Sequence, residues 1–94
     1  MIKPTIGRKV WFRPAAVSTL NGKAVNHFIP DQPFDATIVC VWGDRMVNLL
    51  VVDHGGETHA VRSVTLRQEG DNQPGGMYCE WMPYQTGQAR AASN

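Results

Sequence analysis

The chain has 94 residues, nine Lys and Arg against eight Asp and Glu, and a formal net charge of +1. That length holds one modest core, which excludes an enzyme built around an interdomain cleft. The near-balanced charge argues against a dedicated nucleic-acid coat or a membrane-surface binder, although residues 1–30 carry five bases and no acid.

The first strand is predicted over Gly7 to Pro14, "GRKVWFRP", where β-formers lie between a glycine and a proline. Alternation puts Val10 and Phe12 on the core face. Lys9, Trp11 and Arg13 take the other face, with Arg8 beside them. Base and aromatic interleaved in this way suit phosphate contact and stacking. Residues 15–35 hold the turn signal Asn21-Gly22 and two strand-resisting prolines, Pro30 and Pro33. They read as a long irregular excursion with one helical turn near Ala15 to Leu20. Phe28, Ile29 and Phe34 are expected to pin it to the domain. Long loops in compact domains are often functional, which makes His27 and Phe28 candidate contact residues.

Asp35 to Trp42, "DATIVCVW", is apolar almost throughout and is expected to be a strand covered on both faces. Gly43-Asp44 turns the chain into a strand over Arg45 to Asp53. Gly55-Gly56 turns it again into Glu57 to Leu66. Short connections favour antiparallel neighbours. The last of these strands sets His59, Val61 and Ser63 against Thr58, Ala60 and Arg62. Arg67 to Met77 reads as a polar loop. Tyr78 to Met82, "YCEWM", is a brief closing strand ended by Pro83. The fold class is therefore all-β: a small SH3-like barrel of about five antiparallel strands with a long loop after the first. One domain over residues 1–84 precedes a frayed polar tail over residues 85–94.

No chemical motif stands out. Asp53, His54 and His59 cluster at one turn, but no Cys-x-x-Cys or other paired ligand spacing accompanies them. Turn chemistry accounts for Asp53-His54-Gly55-Gly56, and no metal or cofactor is expected. Cys40 and Cys79 lie in apolar runs, as small hydrophobes do, and whether they ever pair is left open. Neither has the exposed, activated setting of a nucleophile, and no enzymatic activity is expected. The chain lacks a signal-peptide pattern and a membrane-length apolar run, which points to the cytoplasm. Five further aromatics of interest are Trp42 and Trp81, read as core, and Trp11, Tyr78 and Tyr84. Trp11 and Tyr84 are the better candidates for exposed contacts. Trp81, Met82 and Tyr84, beyond the barrel proper, suggest a contact between copies of the chain in a homo-oligomer.

Three blocks, "KPTIGRKVWFRP", "MVNLLVVDHGGETHAVRSVTL" and "GGMYCEWMPYQTGQA", resemble a group of small tailed-phage and prophage proteins with no assigned activity. The resemblance spans nearly the whole chain except residues 15–34. It implies a bacterial host cell, a compact β-barrel and a phage accessory role. Such a role is a binding module for a host or phage protein or a small anionic ligand, including one that counteracts host defence. A virion decoration or connector subunit and a nucleic-acid-binding protein are the alternatives.

Overall fold

The computed structural model describes residues 1–15 and 18–93, with the last five of these as backbone only. The expected barrel is present. Its strands are β1 (Lys9–Arg13), β4 (Phe34–Gly43), β5 (Met46–Val52), β6 (Thr58–Arg67) and β7 (Tyr78–Glu80), closed in the order β1-β4-β5-β6-β7. β2 (Thr19–Leu20) and β3 (Lys23–Ala24) form a separate two-stranded hairpin, and α1 (Pro83–Ser93) follows the barrel.

Four of the five barrel pairings are antiparallel, and β6 with β7 is parallel. Parity requires this. Directions can alternate all round a ring only if the strand number is even. A parallel neighbour cannot be reached by a tight hairpin, so the longer connection over residues 68–77 returns the chain to the level of Thr65, where β7 begins. Closure leaves no strand of the ring with a wholly open edge.

Alternation fills the interior. Val10 and Phe12 enter from β1 as expected, and Phe34, Ala36, Ile38, Val47, Leu49, Val51, Val61, Val64, Leu66, Cys79 and Trp81 complete the core. Phe12 and Phe34 stack with centroids 6.4 Å apart. In β6 the expected alternation runs through His59 and Val61 and then changes phase, because Val64 and Leu66 are buried and Ser63 is exposed. The cause is a bulge opposite Asn48. Ser63 sits at φ +54°, and its N–H donates to Asn48 Oδ1 at 2.8 Å. A left-handed backbone costs an L-residue about 1–2 kcal/mol. Ser63→Gly is therefore expected to raise the thermal midpoint by a few degrees, net of glycine's added unfolded-state entropy; a lowered midpoint would contradict this account.

The segment after β1 is more ordered than expected. Asn21 (φ 51°) and Gly22 (φ 79°) form a two-residue turn between β2 and β3, the geometry that Asn-Gly favours. The helical turn expected over Ala15 to Leu20 is not found where the chain is described, since Thr19–Leu20 is strand; Ala16 and Val17 lie outside the described residues. Phe28 and Phe34 pin the segment, their rings edge to face at 5.6 Å, whereas Ile29 is exposed.

The expected frayed tail is a helix instead. Pro83 occupies its first position, where the missing N–H costs nothing. Gln85 Oε1 accepts from the Met82 N–H at 2.7 Å, half of a capping box, and Gln85 Nε2 donates to Lys9 O at 3.1 Å. No helix among the described residues is long and apolar enough to cross a membrane.

Candidate binding surfaces

The acids and histidines at the β5–β6 turn form a buried pair rather than an exposed turn. Asp53 and His59 are 4% and 2% exposed, and Asp53 Oδ2 accepts from His59 Nε2 at 2.8 Å. The carboxylate also accepts the N–H groups of Asn26 (2.8 Å), Gly55 (2.9 Å) and Glu57 (3.0 Å). Burial alone would raise its pKa. The hydrogen bonds from His59 and from the Asn26, Glu57 and Gly55 backbone outweigh that and hold it far below the usual carboxylate range. His54 continues the latch. Its Nδ1 accepts from the Ile29 N–H at 2.8 Å, which leaves Nε2 to donate to Pro33 O at 3.0 Å. A Cβ at Gly55 would collide with the Asn26 side chain, which would have to move and give up its bond to the Gly55 carbonyl. This cluster therefore works as a clasp for residues 25–33. Among the described residues, no group of three or more His, Cys, Asp and Glu is placed to hold a metal.

The clasp also fixes where the two loop candidates lie. Phe28 is half-buried between Phe34 and His54, with its ring stacked on His54 at 6.0 Å. His27 is exposed, and its carbonyl accepts from the His54 N–H. The two cysteines are free thiols. Cys79 is buried, and burial pushes its thiol up to about 12, the opposite of an activated nucleophile.

The basic strand does not present an open cationic row. Lys9 Nζ meets Asp35 at 3.1 Å, and Arg13 Nε meets Glu80 at 3.0 Å. Arg13 lies over the half-buried Trp11 ring at 5.7 Å, the cationic neighbour expected for that residue. Arg8 lies over Trp81 at 5.6 Å. Of the three residues expected between subunits, Trp81 is 5% exposed and packs in the core, its indole N–H on Gln68 Oε1. It has no surface left to offer a second copy. Met82 is half-buried, and Tyr84, on the first turn of α1, is 59% exposed.

The two tryptophans read as core part company. Trp42 is 65% exposed. The chain leading into β1 follows β4 only as far as Ile38, while β6 follows β5 to the hairpin tip, so the last residues of β4 lie at an unpaired edge and are not covered on both faces. Register then assembles a surface. Leu50 lies opposite Thr37 and Cys40 opposite Asn48, all pointing away from the buried Leu49 and Val47. Trp42 joins them because its indole N–H donates to Asn48 Oδ1 at 2.9 Å, the oxygen that also anchors the Ser63 bulge. Val39, Trp42, Met46 and Leu50, each between 37% and 65% exposed, thus line the outside of one hairpin. The signal was present in the chain as an apolar run longer than the strand before it could cover. No family model, curated protein or solved structure matches this chain.

Proposed function

We propose that this chain is a non-enzymatic binding module, a phage accessory protein of the host bacterial cytoplasm that engages a host or phage protein through the outer face of the β4–β5 hairpin. The observation that carries the reading is Trp42: a large aromatic, mostly exposed, with its indole fixed by Asn48 among Val39, Met46 and Leu50. Restrained exposed tryptophans are the usual anchors of protein interfaces. The surface is the outside of a sheet, not a concavity, which suits a protein rather than a small molecule. The near-balanced net charge and the pairing of Lys9 with Asp35 favour the same choice over nucleic acid, whose binding depends on a run of free cations.

The test is retention of a partner from lysate of the infected host on immobilised chain, with Trp42→Ala and Leu50→Lys as matched baits. Loss of a central tryptophan costs at least about 2 kcal/mol, roughly thirtyfold in affinity. A protein held by the wild type should be lost from both variants, which retain the wild-type circular dichroism. A partner kept equally by all three baits would sink the assignment of this face. Recovery of the chain from purified particles would instead support the virion reading.

A further inference from the structure

A second feature lies across the barrel from that hairpin, where β7 sits between β1 and β6. There Glu80 is gripped from both sides. Arg13 Nε meets its Oε2 at 3.0 Å, and Arg67 Nη1 approaches its Oε1 at 3.6 Å. Arg67 Nε also donates to Asp71 O at 3.1 Å, which fixes the guanidinium plane. Trp11 supports the Arg13 plane from beneath. All three charged side chains are two-thirds or more buried. They border an open cleft of about 550 Å³, within the usual range for small-ligand sites, which Tyr78 and the Gly75-Gly76 backbone also line.

Arg13 and Arg67 share the Glu80 carboxylate, and the nearby Asp71, which also feels Arg67, is paired with Arg45, so three bases face two acids and one positive charge is left over. The terminal nitrogens of Arg13 and the second terminal nitrogen of Arg67 have no partner among the described residues. The Arg13 fork, held at Nε and bordering the cleft, keeps both terminal nitrogens for two-point contact with an oxyanion, and Arg67 can add a single nitrogen. We infer that this cleft binds the phosphate or carboxylate group of a small molecule, with Arg13 and Arg67 as the anion-contacting residues. Glu80 holds both forks in place and weakens the site by its own charge. The inference is independent of the protein-binding face, because no residue is shared.

Amide NMR titration of the whole chain at low salt, with inorganic phosphate, AMP and citrate as separate probes, tests it. Expected shifts centre on Arg13, Arg67, Gly75 and Gly76. Stronger response to phosphate and AMP than to citrate identifies a phosphate ligand, and the reverse identifies a carboxylate. Arg67→Gln and Arg13→Gln should each weaken binding about tenfold or more, since a charge-assisted contact is lost. Glu80→Gln should strengthen it several-fold. Trp42→Ala should leave it unchanged, so failure here is separable from failure of the hairpin reading. Absence of shifts at those amides in the wild type with 20 mM of any probe (about the weakest binding of functional use) overturns the site. So does a response that survives both arginine substitutions in folded protein.

Discussion

Asp53→Ala should cost about 3–5 kcal/mol, because it removes a buried carboxylate and strands the several buried donors that it accepts from. For a domain of this size that lowers the thermal midpoint by more than about 15 °C. The reason is local. One carboxylate satisfies three backbone N–H groups and His59. His59 Nδ1 has no partner among the described residues, so loss of Asp53 would strand the whole ring. Asp53→Asn should fall between, because its amide nitrogen would face a donor. The pH dependence has a definite sign. The folded-state pKa of Asp53 is depressed, so its contribution is complete above the unfolded value of about 4 and is lost as pH falls through the folded one. The gap in stability between wild type and Asp53→Asn should therefore narrow as pH drops below about 4. A gap that stays constant with pH in urea titrations would refute the ionised Asp53 carboxylate.

Gln68→Ala should be nearly as damaging, at about 2–4 kcal/mol in the same titrations. The side chain is 3% exposed and uses its full capacity. Oε1 accepts from the Ile2 N–H (3.2 Å) and the Trp81 indole (3.0 Å). Nε2 donates to Ile2 O (2.8 Å) and Asp44 O (2.9 Å). One amide thus ties together the N-terminal lead-in, the β4–β5 turn and the residue that leads into α1. Its loss should also abolish hydrogen-exchange protection at the Ile2 amide. Protection that persists would mean the lead-in is held by other contacts.

Gln68 also marks where the sequence stops being informative. In "RQEGDNQPGGM" it is one polar residue among several, and only the crossover imposed by an odd-stranded ring buries it. The strands themselves were legible, because Val10 with Phe12 and His59 with Val61 alternate visibly and Asn21-Gly22 specifies its own turn. His59 carried a readable hint: it shares a face with Val61, which is core. Its partner was obscured because Asp-His-Gly-Gly is also ordinary turn chemistry. The tryptophans were unreadable for a different reason. Trp42 and Trp81 sit in similar apolar contexts, and what separates them is where β1 ends against β4, a property of two strands at once. The helix at the C-terminus was signalled by Pro83 and Gln85, but its polar composition resembles a tail. At the proposed anion cleft, Arg13 was apparent from its strand, whereas Arg67 and Glu80 join it only through the β6–β7 and β1–β7 registers.

The pairing of β7 with both β1 and β6 has a consequence for the chain as it folds. Phe12 meets Cys79, so the ring joins residues near the two ends of the domain. Until residues 78–80 pair, β1 and β6 each expose an edge on a sheet already rich in valine. The folding chain passes through that open state before the ring closes. Slow closure of so distant a contact makes this the interval in which stray strand pairing competes with folding.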